Sequence, residues 1–235
     1  MFKRGLDSIP KPVKSTSGDR RVFDFYLGYN ERAQIIFLDE VDTVPSDVVH
    51  PLFFDSRQHL ITCPRSAGKD CFICEQLDEL GKQPNLPYAR SMTFFSVLDL
   101  RPYTKDDGTV IPVTKKLLKG NSRTVDMIKR ECEEMGVDNL FGSLWSVSRG
   151  KDAKPKPAAV GDMYRYQKMA DTDSVLEQLG GDVDLLKPFT VEELSSVVIM
   201  DEDEAREVFG RFMESRGGAS ESKASTGFKG AKLNL

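Results

Sequence analysis

A mainly β chain with added helices is the fold class this sequence predicts, and three observations carry the expectation. Short runs rich in Phe, Tyr, Val and Ile recur between Val22 and Gln167, each bounded by Gly, Pro, Asp or Asn. Inside that stretch, three of the four cysteines and one of the two histidines gather at His50, Cys63, Cys71 and Cys74. After Ala170 the strand signal gives way to helix caps and helical periodicity. With 235 residues, 39% hydrophobic and 30% charged, the chain can bury one substantial core. No apolar run approaches the roughly 18–20 residues that span a bilayer. The start Met1-Phe2-Lys3-Arg4 is basic but lacks a following apolar stretch, so a secretory leader is not expected.

Residues 1–21 read as a flexible basic arm, because Pro10, Pro12, Ser15, Thr16, Ser17 and Gly18 offer little to bury. Val22–Leu27 and Ala33–Leu38 read as strands, and the turn signal Gly28-Tyr29-Asn30-Glu31 predicts that they pair as a hairpin. In the segment 48–80, Gln58–Thr62 reads as a strand delivering Cys63, and Cys74–Leu80 as a short helix stopped by Gly81. Met92–Leu100 is the strongest strand. Asp106-Asp107-Gly108 is a turn, with Thr109–Ile111 returning. Ser122 is expected to cap a helix over Arg123–Met135, with Val125, Ile128 and Cys132 on its buried face. Leu144–Arg149 and Met163–Gln167 read as the last strands, joined by a Lys- and Pro-bearing loop. Thr190 and Glu193 form a capping box. Asp201–Glu214 predicts a helix with Val208, Phe209 and Phe212 on its apolar side, ended by Gly217-Gly218. Four regions follow: the arm 1–21, a core 22–170 containing the metal segment 48–80, a helical segment 171–214, and a disordered tail 215–235. Six or seven short strands around one connecting helix suggest a small Greek-key barrel, here the five-stranded OB barrel.

Charge is uneven along the chain. Residues 171–207 hold twelve acids against Lys187 and Arg206, a net −10, so the other 198 residues carry +6 within the overall −4. A weakly basic body with an acidic C-terminal third differs from a uniformly acidic protein, although acids also simply coat solvated helix faces.

The string His50-x12-Cys63-x7-Cys71-x2-Cys74 supplies four soft ligands, and a C-x2-C turn aims two thiolates at one point. Three thiolates and one imidazole favour a closed tetrahedral site and one structural zinc ion. Zinc-deaminase chemistry needs H-x-E and P-C-x-x-C. Leu52 stands where that Glu belongs, and Asp70 where the Pro belongs. A redox pair Cys71–Cys74 is the alternative reading, and it leaves Cys63 and His50 unexplained. His59, three residues before Cys63, is the competing imidazole. The phosphate-loop, dinucleotide-fold and nucleophile-elbow motifs are absent, and no carboxylate spacing marks a catalytic pair, so the chain reads as a non-enzyme.

What remains is aromatic and basic material on strands, the mixture single-stranded nucleic acid asks for: rings for bases and cations for phosphates. The candidate DNA-binding residues are Arg21, Arg32, Arg90, Phe94, Arg101, Tyr103, Lys105, Lys115, Lys116, Trp145, Arg149, Tyr164, Arg165 and Tyr166. Alternation along a strand sends about half of such aromatics inward, and one of Phe94 and Phe95 is expected to face the core.

On these residues the chain resembles the single-stranded-DNA-binding proteins of tailed bacteriophages, the T-even-type helix-destabilising family. The resemblance rests on His50-x12-Cys63, Cys71-Phe72-Ile73-Cys74, the start Met1–Arg4, Lys14-Ser15-Thr16, and the strands Phe94–Leu100 and Trp145-Ser146-Val147. It covers about residues 1–170. It implies a zinc site set in an OB-fold core. It also implies coating of single strands with little sequence preference during phage replication, recombination and repair, in the cytoplasm of an infected host. Cooperative self-association through the N-terminal arm is implied as well. That family ends in an acidic tail, whereas the acids here lie earlier. The 171–214 helices are therefore expected to take over docking of replication or recombination proteins and screening of the DNA site. The alternative reading is a zinc-ribbon adaptor that binds a polymerase or recombination protein. An RNA-binding role is a third.

Overall fold

A computed structural model of the protein describes residues 22–40, 43–136, 140–151, 160–171 and 185–224. The elements run β1 (Arg32–Phe37), β2 (Ser46–Phe54), β3 (Arg57–Thr62), α1 (Phe72–Leu80), β4 (Arg90–Asp99), β5 (Tyr103–Thr104), β6 (Val110–Ile111) and β7 (Thr114–Gly120). They continue with α2 (Ser122–Glu134), β8 (Ser143–Arg149), β9 (Tyr164–Asp171), α3 (Val191–Ser195), β10 (Val198–Ile199) and α4 (Glu202–Ala224). The fold is mainly β, with one mixed sheet and a few helices.

The long strand β4 organises the sheet. One edge pairs with β7 from Thr93 to Asp99. The other pairs first with β2, over Arg90–Thr93, and then with β1, over Val97–Asp99. From β1 the sheet continues through β8 to β9, all antiparallel, and from β2 through β3 to β10, the last pair parallel. The strands β7, β4, β1, β8 and β9 face one interior. Leu118 of β7, Phe95 and Val97 of β4, Ile35 and Phe37 of β1, Trp145 and Val147 of β8, and Tyr164 of β9 share a single core with Ile128 and Cys132 of α2.

Residues 22–27 fill the seam between the two outer strands of that set. The Phe25 amide donates to the Leu117 carbonyl at 2.8 Å, and the Leu27 amide donates to Tyr164 Oη at 2.9 Å. Lys119, buried on β7, pairs with Asp24 at 2.6 Å. The segment makes only one isolated bridge, parallel to β7, instead of the expected hairpin with β1. The turn at 28–31 instead carries the chain into β1, whose partners β4 and β8 are remote in sequence. Gly161 lies close over the same edge: a Cβ there would sit 2.8 Å from the Lys119 carbonyl oxygen, so only glycine fits.

Helix α2 starts one residue earlier than its sequence suggests. Asn121, not Ser122, is the N-cap, accepting from the Arg123 amide at 2.8 Å. Its buried face is Thr124, Ile128 and Cys132, with Val125 only half-buried. The capping box of Thr190 and Glu193 forms as expected. Helix α4 runs through Gly217-Gly218 to Ala224 rather than stopping at the glycines.

The C-terminal segment straps the outer surface of the sheet. Leu185 and Leu186 pack against Ile36, Leu38 and Leu98. Phe189, Leu194 and Val198 cover Val49, Leu60, Met92, Phe94 and Leu117. Both Phe94 and Phe95 are therefore buried, one on each face of β4. No helix among the described residues is long and apolar enough to cross a membrane.

Candidate metal centre and basic–aromatic groove

The β2–β3 hairpin sets the metal geometry. His50 on β2 lies opposite Ile61, and the Cys63 amide donates to the Val48 carbonyl at 2.8 Å, which places Cys63 beside His50 at the open end of the hairpin. A 3-10 turn over Pro64–Ala67 reverses the chain, Gly68 taking a φ of 77°. Cys71 then caps α1, and Cys74 sits in its first turn. All four side chains are buried, and their ligand atoms lie within 4.8 Å of one another. Nε2 of His50 is 3.3 Å from Cys71 Sγ and 3.5 Å from Cys74 Sγ, and the Cys63 and Cys74 sulfurs are 3.6 Å apart. A four-coordinate zinc with ordinary bond lengths needs ligand separations of about 3.6 Å for N···S and about 3.8 Å for S···S. The donor set could hold a metal ion.

Two further features suit a closed metal site. His50 Nδ1 lies 2.7 Å from the Pro87 carbonyl, so a proton on Nδ1 fixes the ring and leaves Nε2 as the ligand. The thiols are also electrostatically crowded. Burial opposes ionisation of Cys71, but hydrogen bonds with His50 and the Cys74 backbone outweigh it and lower its pKa. Burial, reinforced by Cys63 and Cys71, pushes Cys74 up to about 12. A cation at the centre relieves that conflict by stabilising every thiolate together. His59 is outside the tetrad. It pairs with Leu52 across the hairpin and stacks on Phe54, with centroids 4.5 Å apart. Burial, with Arg211 and Arg57 nearby, lowers its pKa.

The second feature is an open groove of about 830 Å³ beside the β5–β6 hairpin. Phe23, Tyr103, Lys105, Lys115 and Lys116 line it, with Asp24, Asp106 and Asp107. Phe23 is 63% exposed and Tyr103 is 53% exposed, so both rings are available to a ligand. Lys116 and Arg101 straddle the fully buried carboxylate of Asp99, each reaching Oδ2 at 2.7 Å, and together they hold its pKa below the usual carboxylate value against the cost of burial. Lys115 Nζ sits over the Phe189 ring at 4.7 Å and donates to the Lys187 carbonyl.

The remaining candidate DNA contacts divide by burial. Arg32 and Arg165 are exposed, and Ser148 of β8 lies opposite both, so they fall in one cross-strand row. Tyr166 is half-buried, its hydroxyl donating to the Gly161 carbonyl at 2.9 Å. Arg90 is exposed but pairs with Val49 near the metal segment, roughly 25 Å along β4 from the groove. Arg21 lies outside the described residues.

Four expectations need correcting. Phe94 is roofed by the C-terminal strap. Trp145 is fully buried, its indole donating to Ser143 Oγ at 2.8 Å. Tyr164 points into the core and accepts from Leu27, and burial raises its pKa to about 12. Arg149 is 2% exposed and spends its guanidinium on Tyr26, Leu27 and Tyr29. None of the four presents a surface to a base or phosphate.

Among the rings that are exposed, Phe23 and Tyr26 lie on the segment expected to be a strand and Tyr29 in the turn expected after it. Their three-residue spacing was the available signal. No protein-family model matches the chain, and no curated protein is significantly similar to it.

Proposed function

We propose that the protein is a non-enzymatic single-stranded-DNA-binding protein built on an OB barrel, with one structural zinc ion at His50, Cys63, Cys71 and Cys74. The observation that carries this reading is the groove in which exposed Phe23 and Tyr103 lie with Lys105, Lys115 and Lys116, beside Asp24, Asp106 and Asp107. Flat rings stack on any base and cations follow the phosphates, a combination with little sequence preference. The barrel reading is supported by the strand path β7-β4-β1-β8-β9, with α2 joining β7 to β8 under the shared core and the metal segment inserted between β1 and β4. Zinc is favoured over other ions by three thiolates, one imidazole and a buried, closed geometry. In this reading the protein coats single strands during phage replication, recombination and repair in the host cytoplasm. Its exposed acids on the C-terminal segment screen the DNA site and dock partner proteins.

Trp145 is buried, so intrinsic fluorescence is a poor reporter. Anisotropy of a labelled oligo-dT, titrated from 50 to 300 mM salt with zinc quantified on the same sample, tests the proposal. Binding whose log K falls linearly with log salt, on protein holding one zinc per chain, is expected. No binding at 50 mM salt overturns the function, and a matched RNA bound more tightly than DNA reassigns the ligand.

A further inference from the structure

Tyr26 and Tyr29 are an unusual pair. Each is about half exposed, at 53% and 49%, and each is backed by the same buried guanidinium. The Arg149 Cζ lies 3.9 Å from the Tyr29 ring centroid and 5.5 Å from that of Tyr26. Its Nη1 donates to Tyr26 Oη at 2.7 Å and to the Leu27 carbonyl at 2.9 Å. A flexible turn bearing two tyrosines would ordinarily fold them down or leave them to rotate. Here the Asn30 amide donates to the Arg149 carbonyl, and the Arg149 amide donates to the Glu31 carbonyl, so the turn is tied to β8 on both sides of the guanidinium. The rings are held with one face on the cation, and about half of each ring's surface stays in water.

Arg32 and Arg165, both exposed, lie one register step along β1 and β9, on the sheet face opposite Arg149, and Glu31 beside Arg32 pairs with Arg101 at 3.5 Å. Arg101 donates from Nη2 to the Tyr26 carbonyl at 3.0 Å, which joins the pair to the groove where Phe23, three residues earlier, is exposed. Exposed rings at 23, 26 and 29 therefore follow one another along a single tethered segment.

We infer that Tyr26 and Tyr29, held by Arg149, form a second nucleobase-stacking shelf that extends the strand's path out of the groove along the segment 23–29. Arg149 is a positioning residue: it does not touch the ligand, and it fixes the ring planes in advance, which lowers the entropy lost on stacking. This inference rests on the single-stranded-DNA reading above. It adds that affinity at this end depends on bases and not on phosphates alone.

The test uses the full-length protein and two labelled oligomers of equal length and charge, oligo-dT and an all-abasic strand, at one fixed salt concentration. Tyr26→Ala and Tyr29→Ala should each weaken oligo-dT binding about tenfold, the effect of losing one base–ring stack, while abasic binding stays within about twofold. Tyr29→Phe, which keeps the ring, should restore wild-type affinity for oligo-dT. Unfolding midpoints measured on the same variants show that the fold is intact. Equal losses on both oligomers, or no loss on oligo-dT, overturn the shelf while leaving the wider function standing. Wild-type protein that binds neither oligomer removes the wider function and the shelf with it.

Discussion

Asp39 is a buried carboxyl whose ionisation works against the fold. It is 1% exposed and accepts from the Ser96 amide, and Ser96 Oγ in turn accepts from the Phe189 amide at 2.9 Å. Burial raises its pKa from 3.8 to about 7, more than the Ser96 bonds lower it. Because the folded form holds the proton more tightly than the unfolded chain, this group's contribution is intact below about pH 4. It declines as pH rises toward 7 and is flat above that. The loss amounts to at most roughly 4 kcal/mol. Asp39→Asn mimics the protonated form, so urea denaturation at pH 5 and pH 8 should show a smaller pH difference than wild type and a more stable protein at pH 8. An unchanged difference places the pH dependence elsewhere. At the metal, Cys71→Ser should abolish stoichiometric zinc retention and lower the unfolding midpoint, read by metal analysis and thermal denaturation together. The cluster of His50, Cys63, Cys71 and Cys74 was legible because its chemistry and spacing are local properties of the string. The aromatic contacts were not. Strand alternation says that neighbouring side chains face opposite ways, but it cannot say that Phe94's outer side is roofed by Phe189, almost a hundred residues away.

Helix α4 carries the clearest coupling between elements. Its apolar side, Ala205, Val208, Phe209 and Phe212, packs in one cluster with Cys63, Cys71 and Cys74. Three further contacts fix it. Phe209 meets Phe72 edge-on with centroids 5.8 Å apart, Arg211 pairs with Asp55 at the β2–β3 turn, and Arg216 donates to the Asn85 carbonyl two residues before Pro87. Those three landing sites, the start of α1, the hairpin and the 84–87 loop, are the pieces that a metal ion at the four clustered side chains and the His50–Pro87 bond would hold together. Chelation should therefore loosen α4 as well as the cysteine turn, seen as faster amide exchange over 205–213, with the core strands β1 and β8 protected as before. Exchange that stays unchanged in α4 after zinc loss would show that its dock is independent of the metal. Phe209→Ala should cost about 3–4 kcal/mol of stability. Helices and caps were largely readable from sequence because their signals are local. Even the Asn121-for-Ser122 exchange is a choice between two adjacent side chains of similar capping strength. The expected hairpin between 22–27 and β1 failed for the opposite reason. Adjacent strands joined by a turn signal pair by default, and only the remote partners β7, β4 and β8 could displace that pairing.

Across the whole molecule, residues 171–207 carry a net −10 and the other 198 residues +6, and the described part of the acidic segment lies along the sheet rather than away from it. Its apolar residues are committed to the core, so cutting the chain after Ala170 would strip Phe189, Val198 and Phe209 from their partners and confuse loss of charge with loss of fold. Neutralising exposed acids separates the two. Glu192, Glu204 and Glu207 are exposed, and replacing all three with Gln leaves every buried contact in place. Where the strap passes the groove, Lys115 donates to the Lys187 carbonyl, which puts the stretch before α3 next to the cations that would meet phosphate. The triple variant should bind oligo-dT several-fold more tightly at 20 mM salt, where the Debye length exceeds about 20 Å, and match wild type at 300 mM, where it is about 6 Å. The strand's own phosphate contacts set a separate dependence: Lys105→Ala should lower the slope of log K against log salt by about 0.7, the share of one phosphate on a single strand. If the triple variant matches wild type at both salts, the acids do not screen the groove.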